Sequence, residues 1–252
     1  MCRRPWGEVS SVASKRVRLC AGNNVDLCQA IFKAHGLSDR RSDSYWSSDG
    51  QAPPYYPNAA TLDPDAGAVQ LAEIARLTSV LATSFSVKDG FCRLDLQPLG
   101  FSQLFEASWT WMDLSHPVTT PSGWERVEDA ASLEMWEFAW ADHASPSNCR
   151  VFPAAVLADP AIAVLGRRTT NGFTAGCIAN RSERVTGVSN VFATDGSPIY
   201  RNAVRAAANA FAGSRALVGY DAGEGLDEAL ACGFEATGPL RVWIRDSQDE
   251  EE

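Results

Sequence analysis

Apolar positions change rhythm several times along the chain. In "NNVDLCQAIFKAHG", Val25, Leu27, Cys28, Ile31 and Phe32 form a broad stripe. That stripe predicts a short helix, capped by Asn23 or Asn24 and stopped by Gly36. In "PDAGAVQLAEIARLTSVLA", Val69, Leu71, Ala72, Ile74, Ala75, Leu77 and Leu81 predict a second helix, opened by Asp63-Pro64-Asp65. Between the two, Pro53-Pro54-Tyr55-Tyr56-Pro57 excludes a central strand, because proline gives the ladder no N–H. An edge strand or an extended loop remains. "SFSVKDGFCRLDL" is strand-like with a Lys-Asp-Gly turn, and Gln97-Pro98-Leu99-Gly100 breaks the pattern. A first lobe is therefore set at residues 1–98.

The pattern from 99 to 246 is more regular. "FSQLFEASWTWM" predicts a strand, and "GWERVEDAASLEMWEFAWAD" a helix with Trp124, Val127, Leu133, Trp136 and Trp140 at near-helical spacing. "RVFPAAVLADPAIAVLGRR" predicts two short strands around Asp159-Pro160. "GFTAGCIANRSERVTGVSNVFA" predicts a hairpin with its tip at Asn180-Arg181-Ser182-Glu183. A helix over 198–212, the strand "RALVGYD", the helix "GLDEALACG" and the strand "GPLRVWIRD" complete the order β-α-β-β-β-α-β-α-β. The fold class is α/β, an α+β mixed sheet.

Composition narrows the function classes. The 252 residues carry a net charge of −9, part of it in the tail at 247–252, which argues against nucleic acid or an anionic membrane as partner. No apolar run reaches the length of a membrane span, and the basic first twenty residues lack the apolar stretch of a secretory signal. Seven scattered cysteines with no C-x-x-C and no Cys/His cluster of zinc spacing read as buried free thiols in a reducing cytoplasm, with no metal. Without a G-x-S-x-G elbow, a serine hydrolase has no marked nucleophile.

The order and spacing of "GCIANRSERVTGVSNVFA", the helix after it, "ALVGYD" and "LDEALACGFEATGPLRVW" resemble the GCN5-related N-acetyltransferase (GNAT) superfamily over about residues 100 to 246. The resemblance implies a GNAT-like fold with an additional N-terminal lobe. It implies acetyl-CoA or another acyl-CoA as cofactor, and a small-molecule or peptide amine as acceptor. In such a fold two parallel strands splay apart, the thioester arm lies in the gap against main chain, and the pyrophosphate sits on a helix N-terminus. The resemblance would place main-chain cofactor contacts at Val191, Phe192, Ala193, Gly196 and Ile199, with Arg201 or Arg205 as counter-charge. Ser189 and Asn190 would face the acceptor. Tyr220, Asp221 and Glu224 would supply acid and base, although Tyr220 also reads as a strand aromatic and the two acids as solvated turn residues.

The sequence departs from the family pattern at three places. The loop position of a Gln or Arg falls on Asp195, the two small positions fall on Pro198 and Tyr200, and the place of a helix tyrosine falls on Ala229. A worn phosphate loop also allows a second expectation, a non-catalytic ligand- or protein-binding module that has lost acyl-CoA.

Overall fold

A computed structural model describes residues 11–115, 118–141, 150–196 and 199–247, of which 11–14 and 199 as backbone alone. The strands are β1 (Arg40–Arg41), β2 (Tyr45–Ser47), β3 (Ala59–Thr61), β4 (Phe85–Asp89), β5 (Ser102–Asp113), β6 (Trp124–Arg126), β7 (Ile162–Thr169), β8 (Gly172–Ser182), β9 (Val185–Ala193), β10 (Ala216–Asp221) and β11 (Glu235–Arg245). The helices are α1 (Ser11–Ala34), α2 (Gly67–Val80), α3 (Ala130–Trp140), α4 (Ile199–Ala210) and α5 (Gly223–Ala231).

All of these strands join one mixed sheet in the order β1-β2-β3-β4-β11-β5-β10-β9-β8-β7-β6. Strand β11 is inserted between β4 and β5, so strands from both sides of residue 98 share hydrogen bonds. Reading outward from the β11/β5 pair, the two arms repeat each other. On one side β4 runs parallel to β3 across the crossover helix α2; on the other β10 runs parallel to β9 across α4. An antiparallel partner then follows each, β2 on β3 and β8 on β9.

Several sequence expectations change in detail. Helix α1 starts well before Asn23, because Val17, Cys20 and Ala21 continue the stripe and bury against β5, β10 and β11. Gly36 does end it, in a left-handed conformation at φ 72°. Helix α2 begins at Gly67, after the Asp-Pro-Asp turn, and Val69 is exposed. The run expected as one helix from 124 divides. Trp124 lies in β6, and α3 starts only after Asp129, whose carboxylate accepts from the Ser132 N–H. Only one of the two strands expected around Asp159-Pro160 forms, since Ala154–Ala158 is a 3-10 turn after Pro153. The hairpin turns at Glu183-Arg184, the far end of the expected tip, and Asn180, Arg181 and Ser182 are still laddered.

The two sheet faces carry separate cores. Tyr200, Ala203, Val204 and Ala207 of α4, with Phe211 just after it, join Leu217, Ala229 and Phe234 on one face. On the other, α1 lies over Trp109, Val218 and Leu240 through Val17, Cys20 and Ala21. A reciprocal amide pair anchors α1: Asn23 donates to the Asn180 carbonyl at 3.1 Å, and Asn180 donates to the Asn23 carbonyl at 2.9 Å. Gly187 makes this possible, because a Cβ there would stand 2.1 Å from Asn23 Oδ1 and 2.2 Å from Asn180 Oδ1.

Candidate functional site: an opening through the sheet

Parallel strands β9 and β10 pair at only three positions, Val185 with Ala216, Thr186 with Leu217, and Gly187 with Val218. Beyond them β9 turns away. A bulge opposite β8 lies between the Gly176/Phe192 and Ile178/Ser189 pairs, and Asn190 within it takes φ 53°, a left-handed conformation that asparagine tolerates. Gly219 sits where the strands start to part; a Cβ there would lie 2.9 Å from the Val188 carbonyl oxygen.

A cavity of about 200 Å³ occupies this divergence. Its walls come from both sides of the sheet. Asn24 and Cys28 of α1, Tyr56 of the loop before β3, Lys88 of β4 and Tyr220 of β10 form one side; Tyr200 of α4 and Asp221 of β10 close the other. Alternation along β10 explains this, since Val218 and Tyr220 face α1 while Leu217 and Asp221 face α4. Tyr200 donates its hydroxyl to Asp221 Oδ2 at 2.5 Å. Burial pushes the Asp221 carboxyl up to about 6, the bond from Tyr200 draws it down, and the charge of Glu228 raises it again. The Tyr200 phenol stands well above its ordinary value, through burial first and the Asp221 charge second.

On the α1 side, Lys88 donates to Asn24 Oδ1 at 2.7 Å and sits 4.2 Å above the Tyr220 ring. The Tyr220 ring in turn meets Trp109 edge-on at 5.6 Å. The Tyr56 hydroxyl is enclosed beside the Asn190 amide without reaching hydrogen-bond geometry, and burial holds it well above the usual phenol range. Burial pushes the Cys28 thiol up to about 11, so at neutral pH it is a protonated wall group rather than a nucleophile.

The structure thus brings together Ser189, Asn190, Val191, Tyr220 and Asp221 as cavity wall. Phe192 and Ala193 continue β9 beyond it, with Phe192 stacked edge-on against Trp136 at 5.2 Å. Gly196 is exposed at φ 64°, and Arg201 is exposed in the first turn of α4, beside Cys232. Ile199 begins α4; Ser197 and Pro198 lie outside the described residues. Glu224 is exposed in the first turn of α5 and lines no part of the cavity.

Lys88, Asn24 and Tyr56 were not singled out from sequence as site residues. Lys88 read only as part of a turn, and its partner stands on a helix far away in the chain. Asp195, which stands at the loop position of a Gln or Arg, is ion-paired with Arg167 of β7. Among the described residues no group of His, Cys, Asp and Glu is arranged to hold a metal ion, and no helix is long and apolar enough to cross a membrane.

Solved structures place this arrangement. The chain superposes on a GCN5-related N-acetyltransferase from Kribbella flavida with TM-score 0.61 at 13% identity, covering 91% of this chain and 95% of that one. It also superposes on a putative GNAT-family acetyltransferase from Novosphingobium aromaticivorans with TM-score 0.58 at 15% identity, covering 88% and 97%. This is the GNAT acetyltransferase fold. At such identities the likeness is one of fold. No family model and no curated protein matches the sequence.

Acyl-CoA, the cofactor expected from the sequence resemblance, is met unevenly by the residues present. Main chain fits: beyond Gly187, β9 has no ladder partner on the β10 side, which leaves polar groups free for an extended arm. Arg201 adds positive charge at the start of α4, and Arg167 cancels the charge of Asp195. Against it stands the Tyr200 ring, which closes the α4 side of the opening.

Proposed function

We propose that the chain is a GNAT-type N-acyltransferase, moving an acyl group, acetyl being the simplest, from acyl-CoA to an amine held in the cavity beneath α1. The observation that supports this most is the cavity passing between β9 and β10, with a half-buried carboxyl at its edge. Acyl-CoA, when bound, supplies the acyl group as a thioester.

The chain's own residues then have distinct tasks. Asp221, its carboxyl raised to about 6, is ionised at neutral pH and takes the proton that the amine nitrogen must lose. Tyr200, by donating to Asp221, fixes that carboxylate and keeps water from it. Ser189 and Asn190 border the acceptor, and the bulge takes the main chain of Asn190 and Val191 out of the ladder with β8. Tyr220 serves as wall, its ring held between Trp109 and Lys88. Catalysis is then mostly placement.

A second reading, a ligand-binding module that no longer takes acyl-CoA, is favoured by one observation, the buried Tyr200 ring in the opening. Release of free CoA thiol from acetyl-CoA, followed with a panel of small primary amines, separates the two. Turnover by the wild type and a loss of about 100-fold or more in Asp221→Asn support the enzyme. No thiol release with any amine supports the binding module, and undiminished turnover in Asp221→Asn takes Asp221 out of the reaction.

A further inference from the structure

Lys88 is 5% exposed, yet no carboxylate among the described residues pairs with it. Its ammonium has one neutral acceptor, Asn24 Oδ1, and the face of the Tyr220 ring. An ammonium taken out of water costs several kcal/mol unless a counter-charge or a full set of acceptors replaces the lost hydration. One amide oxygen and a π face, the latter worth on the order of 0.5–2 kcal/mol, replace only part of it. The described ion pairs near this region join an arginine to an acid, for example Arg41 with Asp26 and Arg18 with Asp63. Among the described residues, Lys88 alone lines the cavity as a cation.

The same cavity holds a carboxyl, Asp221, hydrogen-bonded by Tyr200 on the α4 side of the sheet, whereas Lys88 is on the α1 side. The two opposite charges therefore face one enclosed space from opposite sides. The enclosed Tyr56 hydroxyl, with no hydrogen-bond partner among the described residues, offers a further donor on the Lys88 side. A volume of about 200 Å³ admits a small molecule and excludes a folded chain.

We infer that the cavity binds a small aminocarboxylate, its carboxylate on Lys88 and its amine toward Asp221. This deepens the acyltransferase reading, in which the amine is the acceptor, but the binding itself needs no acyl-CoA. The carboxylate completes the ion pair that the protein leaves open, and Tyr56 donates to its second oxygen. A neutral ester of the same molecule cannot do so, and a simple alkylamine leaves Lys88 unpaired.

Calorimetric titration of the full chain, without acetyl-CoA, tests this with L-alanine, β-alanine, 4-aminobutyrate and the methyl ester of each. The expected result is that at least one free acid binds, with its ester weaker by about tenfold or more. Lys88→Met, which removes the charge at similar size, is expected to lose that preference and to remain folded by circular dichroism. Equal binding of acid and ester by the wild type overturns the inference. So does an unchanged preference in Lys88→Met, or no binding of any of the acids. Binding of an acid without any acyl transfer upholds this inference and defeats the acyltransferase reading, so the two failures are distinguishable.

Discussion

The Tyr200 hydroxyl lies 2.5 Å from Asp221 Oδ2, joining the first turn of α4 to the end of β10 across the opening between two diverging strands. This bond holds the Asp221 carboxyl below the value that burial alone would impose. Tyr200→Phe keeps the ring and removes the donor. Its acid limb in kcat/KM against pH is expected to move above the wild-type position near 6. An unmoved or lowered limb would show that the two groups are not coupled.

Asp221 also sets a stability dependence on pH. Its folded value, about 6, is above the ordinary 3.8, so the folded chain binds more protons between those values than the unfolded chain does. The carboxyl's contribution is therefore most favourable below about 3.8 and is lost as pH rises through 6. Asp221→Asn, which still accepts from Tyr200, is expected to be more stable than wild type at pH 8, the gain shrinking toward pH 4. Denaturant unfolding at both pH values checks this; a variant less stable at pH 8 contradicts it.

The seat of α1 depends on one missing methyl group. Gly187→Ala would drive a Cβ into Asn23 Oδ1 and Asn180 Oδ1 and force apart the reciprocal amide pair. A cost of about 1–3 kcal/mol is expected, with loss of cavity ligand because Asn24 and Cys28 move with the helix. Unfolding midpoints measure the first effect and calorimetry the second. Gly36→Ala serves as a comparison, since a Cβ there meets nothing within 4 Å and only the left-handed φ is strained.

Much of the fold was legible because its rhythms are local. The long strand 102–113, the hairpin and the succession α4-β10-α5-β11 follow directly from apolar spacing. The early start of α1 was hidden because charged residues are interleaved with Val17, Cys20 and Ala21, and only the sheet face reveals which side is buried. Trp124 and Trp136 share a helical spacing but sit in different elements, since Asp129 caps α3 between them. The parting of β9 and β10 was expected, whereas the far wall of the cavity was not. Lys88 and Tyr56 come from the first hundred residues, and nothing in their neighbourhood marks them as partners of Tyr220. Tyr200 read as bulk in a phosphate loop; its bond to Asp221, twenty-one positions on, exists only in three dimensions. Asp195 likewise gained Arg167 from a strand two places away in the sheet.

The most direct test of the site is calorimetric titration of acetyl-CoA into the wild type and into Tyr200→Ala, both confirmed as folded. If the thioester arm enters between β9 and β10, the wild type binds weakly and Tyr200→Ala binds about tenfold tighter or more. Equal affinity in the two proteins, or no heat of binding from either, would contradict the account.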